Sequence, residues 1–203
     1  MGKNIGLIPL GFTEIWSASF NSAIIISAGD NAEFIAFCGI NLDITIFNKE
    51  NVYLPAFLKT YPFLNVEVEN KDKKVNSLIA IDNNPKYVAK DKKIFILDKE
   101  KNLSKQVATK VELIKELNSQ RAVCRRIIAE LKKLDLLIKK DLRVKIEGKE
   151  EKVILEEFYV INMEKLLKLD DKIIASFAKK GWMGIFDAHF KSMGNFEKIL
   201  KAN

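Results

Sequence analysis

The spacing of apolar and polar positions changes twice along this chain, and each change marks a change of element. From residue 22 to residue 82 apolar residues stand in short blocks or alternate with polar ones, the period of β-strands. Residues 22–28 and 33–39 are apolar runs on either side of Gly29-Asp30-Asn31, a turn composition, and predict a hairpin. Leu42-Asp43-Ile44-Thr45-Ile46-Phe47 alternates, Asn48-Lys49-Glu50-Asn51 turns, and Val52-Tyr53-Leu54 returns, which predicts a second hairpin. Residues 64–69 and 77–82 read as further strands joined by the charged link 70–76, before Asn83-Asn84-Pro85 breaks the pattern.

From Ser104 to about Leu134 the period lengthens. Val107, Val111, Ile114, Leu117, Cys124, Ile128 and Leu131 recur at helical spacing between lysines and glutamates, with Ser104 placed as N-cap. About thirty residues at 1.5 Å rise make a helix ~45 Å long. Its apolar stripe is too narrow for burial all round, so one face meets solvent or a partner. Alternation resumes in Leu142-Arg143-Val144-Lys145-Ile146-Glu147, turns at Gly148-Lys149-Glu150 and returns over 152–161, the clearest hairpin in the chain. Short helices close the sequence, with Asn162, Asp170 and Asn195 as N-caps and Gly181 and Gly194 as C′ glycines. No internal repeat, low-complexity tract or linker interrupts it. The reading is one α+β domain over 1–203: antiparallel hairpins in the first half, one long amphipathic helix, a further hairpin and short C-terminal helices.

Composition narrows the class. A chain of 203 residues with 48% hydrophobic content has enough apolar side chains for a real core. The net charge of +7 rests on lysine, since only four of the 34 basic residues are arginine, and basicity by itself is weak support for nucleic-acid binding. Two distant cysteines, Cys38 and Cys124, imply no disulfide framework and a reducing compartment. The densest apolar run, Ala23-Ile24-Ile25-Ile26-Ser27-Ala28, falls far short of the ~20 residues a bilayer requires, and no signal peptide is legible. The expectation is therefore a protein cytoplasmic as synthesised, reaching a surface only through an export signal of another kind.

Candidate chemistry is sparse. Asp187, His189 and Ser192 are the residue types of a hydrolase triad, but residues i and i+2 point apart on a helix, and no G-x-S-x-G elbow is present. His189 reads instead as a helix residue bonded to backbone or a tyrosine. One histidine and two separated cysteines cannot build a zinc site, the nine glycines form no phosphate loop, and Asp82 and Asp170-Asp171 read as a strand end and a cap. No metal, cofactor or catalytic residue is expected. The cluster Arg121, Arg125, Arg126, Lys132, Lys133, Lys139 and Lys140 is the strongest case for a nucleic-acid partner, yet Glu112, Glu116 and Glu130 interleave with the helical part, and a solvated face is the expected reading.

The most distinctive run is Tyr53-Leu54-Pro55-Ala56-Phe57-Leu58-Lys59-Thr60-Tyr61-Pro62-Phe63. Pro55 suits the first turn of a helix and Pro62 disfavours helical geometry at Tyr61, so the two prolines frame a helix of about two turns with Phe57 and Tyr61 on one face. This run resembles the segment by which SapC-type bacterial proteins are recognised. So does Glu157-Phe158-Tyr159-Val160-Ile161-Asn162, followed by Gly181-Trp182-Met183-Gly184-Ile185-Phe186-Asp187-Ala188-His189-Phe190 and Ser192-Met193-Gly194-Asn195, although Asp187 stands where that family commonly has an aromatic. The resemblance covers about residues 30–203. It implies a non-catalytic accessory protein in the assembly, export or display of a bacterial surface layer. A peptide- or protein-binding accessory to enzymes that modify aromatic residues is the alternative, and an enzyme with a carboxylate site the last. A protein or peptide partner is expected, on a groove where Tyr53, Tyr61 and Trp182 approach one another, with Phe57, Asp82 and His189 as further binding candidates.

Overall fold

The computed structural model describes residues 6–40, 47, 50–69, 75–84, 95–144 and 151–202. Among these residues seven strands follow in chain order: β1 (Gly6–Pro9), β2 (Ala23–Ile26), β3 (Phe34–Gly39), β4 (Phe63–Glu69), β5 (Val75–Ile81), β6 (Leu137–Val144) and β7 (Lys152–Ile161). The α-helices are α1 (Ile15–Ala18), α2 (Ala56–Thr60), α3 (Lys105–Lys133), α4 (Met163–Leu166), α5 (Asp171–Lys179), α6 (Met183–Met193) and α7 (Asn195–Ala202). The class is α+β, and the chain divides into two compact units, Met1–Pro55 with Gln120–Asn203, and Ala56–Ser119.

The first unit is built on a five-stranded sheet of order β1-β3-β2-β7-β6, each neighbouring pair antiparallel. Ala23-Ile24-Ile25-Ile26 lies at its centre with all four residues buried, as an unbroken apolar run does in a strand covered on both faces. The expected hairpin is present: Ala23 faces Phe37, Ile26 faces Phe34, and Gly29 takes the positive φ (93°) that its turn requires. One face of the sheet carries α7, where Phe196 and Ile199 pack on Ala23 and Phe37. The second half of α3 contributes Cys124, Ile127, Ile128 and Leu131 to the core.

β2 and β7 are paired through Ile26 and Tyr159, a register that would set Ile24 opposite Ile161 two residues on. There α6 intervenes. The Ile24 amide donates to Ser192 Oγ at 2.9 Å and the Ile161 amide to His189 Nε2 at 3.1 Å. Two side chains one helical turn apart thus satisfy donors that would otherwise be buried without partners, each worth roughly 1–3 kcal/mol.

The second unit holds a two-stranded antiparallel ribbon, β4 with β5, in continuous register from Phe63↔Ile81 to Glu69↔Val75. Its base packs on the first half of α3, Phe63 with Val107 and Ile114, Ile81 and Val111 filling in. Pro55 and Pro62 frame α2 as their chemistry demands, and the Tyr61–Pro62 peptide is cis. The framed helix has five residues, shorter than expected. Lys110 Nζ donates to the carbonyls of Lys59 (2.6 Å) and Tyr61 (2.9 Å) at the C-terminal end of that helix.

Several local expectations need correction. β1 and α1 carry no clear sequence signal: four residues with Leu7 exposed and a single helical turn are too short for a period. Val52-Tyr53-Leu54 is not a strand, and its expected partner at 42–46 lies outside the described residues, as do most of the 70–76 link and the 148–150 turn. β6 begins at Leu137, earlier than its alternation, because a register shift between Lys140 and Leu142 interrupts the period and Asp141 there accepts from the Glu157 amide at 3.0 Å. α3 starts just after Ser104, but the Ser104 hydroxyl meets no hydrogen-bond partner. Asn162 and Asp170 do cap, accepting from Lys165 N and Lys172 N, and Gly181 has φ 72°. Gly194 stays right-handed (φ −63°), and Asn195 does not cap: its amide donates to the carbonyls of Ser19 and Ser22, tying the last helix back to the end of α1.

Candidate functional site

Four polar constellations and two surface features stand out. The first constellation is the α6 pair. His189 and Ser192 are both fully buried, and Ser192 Oγ donates to the His189 carbonyl at 2.6 Å rather than to its ring. His189 Nδ1 meets no partner, so with Nε2 accepting from Ile161 the ring is a neutral imidazole protonated on Nδ1. Burial pushes its pKa down from 6.5 to about 4, against a weaker opposing pull from the Ile24 backbone. Asp187 is exposed on the same helix. These three residues form no triad: the Ser192 and His189 side chains accept from the sheet amides of Ile24 and Ile161.

The second constellation surrounds Glu14, a buried carboxylate. Gly11 N donates to its Oε2 at 2.8 Å and Tyr53 OH to its Oε1 at 2.9 Å. Burial and then the neighbouring carboxylate push the Tyr53 phenol upward, keeping it protonated and donating. Thr13 Oγ1 adds a bond to Gln120 Oε1 at 2.7 Å. Tyr53 thus ties its own segment to the 11–14 loop.

The third lies on α3. Arg121 grips Glu33 with two bonds, Nε to Oε1 at 3.0 Å and Nη2 to Oε2 at 2.7 Å, and Arg125 adds a third at 2.9 Å. The Glu33 side chain is 12% exposed. Two of the arginines that made a basic cluster in the sequence therefore share one carboxylate, while Lys132 donates to the Gly29 carbonyl and Lys139 pairs with Glu157.

The fourth belongs to the ribbon unit. Tyr61 OH bonds Asp82 at the end of β5, and the Asn84 amide adds a bond to the same carboxylate at 3.0 Å. These two bonds, Tyr61 first, hold the Asp82 pKa below the usual carboxylate value. Of the binding candidates named from the sequence, Tyr61 and Asp82 are joined by a hydrogen bond. Phe57 is half-buried nearby in chain order, on α2.

Trp182 marks the first surface feature. Its ring stacks on Phe177 with centroids 5.4 Å apart, and Lys180 Nζ stands 4.5 Å from its centroid. It opens onto a groove of about 690 Å³, with Val123 and Ala129 of α3 contributing apolar lining and Arg126, Lys133, Lys180 and Glu130 the charged groups. Sequence spacing pointed to Trp182 and to the basic stretch of α3 but not to their meeting, which needs the turn at Gly181.

The second feature is apolar. Among the described residues twelve large hydrophobic side chains are exposed, and eight of them, Val66, Val68, Leu78, Ile79, Phe95, Ile96, Leu97 and Leu103, belong to the unit 56–119. Val66 and Leu78 face each other directly across the ribbon with Val68 two residues along the same face.

This is an α+β protein whose buried polar side chains serve the fold and whose unusual features lie on its surface. The chain belongs to the SapC family, whose model matches residues 1–199, so the match takes in β1 and α1 as well as the two blocks noted in the sequence. No curated protein and no solved structure matches it. Among the described residues no cluster of histidine, cysteine and carboxylates is placed to hold a metal ion, and no helix is long and apolar enough to cross a membrane.

Proposed function

We propose that this SapC-family protein is a non-catalytic accessory that binds another protein, in the assembly, export or display of a bacterial surface layer. The surface-layer context comes from the family resemblance, and the binding comes from the ribbon unit. A two-stranded ribbon is marginal by itself, and one that leaves Val66, Val68 and Leu78 in water exposes the surface a partner chain would bury. That concentration of exposed apolar side chains is the observation that carries the reading. The groups that would serve a hydrolase are committed to backbone hydrogen bonds, which supports binding over turnover.

The residues expected to bind divide accordingly. Phe57, Tyr61 and Asp82 go with the ribbon unit, Trp182 with the groove beside α3, and Tyr53 and His189 with the support of the fold. We place the protein in the cytoplasm as synthesised, which cell fractionation checks.

A photoreactive amino acid at Leu78, introduced in the producing cell, should form a discrete adduct with one protein. The same group at Leu167, exposed but outside the ribbon, should not. Equal labelling from both positions, or none from Leu78, would overturn the reading, as would turnover of a substrate by the purified protein.

A further inference from the structure

We propose that the groove beside Trp182 binds an acidic, aromatic-bearing segment of a partner protein; the inference rests on the reading of this chain as a binding accessory and concerns a surface separate from the ribbon. Its basis is what remains of the basic cluster once the fold has used its share. Glu33 engages both Arg121 and Arg125, the Gly29 carbonyl takes Lys132 and Glu157 takes Lys139. Arg126, Lys133 and Lys180 are exposed and enter no ion pair among the described residues, and all three line the groove.

Against these three cations stands one carboxylate, Glu130, so the groove is complementary to negative charge. Its apolar lining and the Trp182 ring suit a side chain rather than a sugar–phosphate backbone. Trp182 is preorganised by Phe177, and its indole N–H has no hydrogen-bond partner among the described residues, leaving one donor for a carboxylate or carbonyl. At about 690 Å³ the space admits a few side chains. An extended phosphate chain would need a continuous cationic track, and along α3 that track is broken by Glu130 and by Glu33, which engages Arg121 and Arg125.

The probe is a short labelled peptide of aspartates around one phenylalanine, followed by fluorescence anisotropy, with a lysine-for-aspartate peptide, a serine-for-phenylalanine peptide and a short single-stranded oligonucleotide for comparison. Arg126→Glu and Trp182→Ala should each weaken the acidic peptide about tenfold, as should loss of its phenylalanine. Lys168→Glu, the same charge change at an exposed lysine that does not line the groove, should change affinity by less than about twofold, the scale of unfocused attraction. Arg126 is exposed, so its variant reports on the groove even if Trp182→Ala disturbs the Phe177 packing. Absence of peptide binding, equal effects of Arg126→Glu and Lys168→Glu, or oligonucleotide binding with the same dependence on Arg126 and Trp182 would each overturn the proposal. A Leu78 adduct that persists in that case leaves the accessory reading standing, so the two fail separately.

Discussion

Lowering the pH from about 7 to about 4.5 should remove roughly 2.5 kcal/mol of stability through one side chain. His189 titrates at about 4 in the folded protein and near 6.5 when unfolded, because burial disfavours the imidazolium. Between those values the unfolded state binds the extra proton, so stability falls as the pH falls. The full effect, about 3.4 kcal/mol from the 2.5-unit difference, is approached only as the pH drops below about 4, and about 2.5 kcal/mol of it is spent by pH 4.5. Protonation would also turn Nε2 into a donor facing the Ile161 amide, itself a donor. The chain has one histidine, so no other imidazole shares this window. Denaturant midpoints measured across it for wild type and His189→Gln should separate the effect, since Gln places an acceptor near the Nε2 position and does not titrate. At pH 7 the variant should be about 1 kcal/mol less stable, and on acidification it should lose about 2.5 kcal/mol less than wild type. Parallel pH profiles for the two proteins would refute the reasoning.

Three further perturbations test other parts of the structure. Glu33→Ala strands the Arg121 and Arg125 guanidinium groups and should cost about 2 kcal/mol in chemical denaturation, with Arg125→Ala, more exposed and singly bonded, costing less than Arg121→Ala. A Cβ on Gly11 would stand 2.4 Å from Gln120 Oε1 and 3.1 Å from Gln120 Cβ, so Gly11→Ala should lower stability by about 1–3 kcal/mol; Gly184→Ala, in a helix with open space around it, should raise the melting temperature. Cys38 and Cys124 are buried free thiols, and burial, with Glu33 and Glu14 adding to it, pushes Cys124 up to about 12; neither should react with a thiol reagent at neutral pH until the protein is unfolded, and stoichiometric labelling of the native state would contradict their placement.

The long helix, the first hairpin and the C-terminal hairpin were legible because each has a sustained period of its own, and the capping side chains of Asn162 and Asp170 because a cap is a local bond. What escaped is non-local. Nothing near His189 or Ser192 in sequence indicates that their partners are the amides of Ile161 and Ile24, 28 and 168 positions away, and residue types alone drew attention to hydrolysis. Asn195 misled for the same reason, reading as a cap while its amide reaches back to Ser19 and Ser22. The basic cluster read as a solvated face, while which of its cations the fold engages depended on Glu33, beyond any helical period.

The insertion of α6 side chains between β2 and β7 also sets an order of events on the ribosome. The first three strands emerge early, yet the amide of Ile24 waits for Ser192, and the Ser19 and Ser22 carbonyls wait for Asn195. The sheet must therefore remain unfinished, with the Ile24 amide unpaired, until Ser192 and Asn195 have been translated. During that interval it is a natural client for a holding chaperone, and a ribosome stalled short of Ser192 would release a species whose most apolar strand is still open to association.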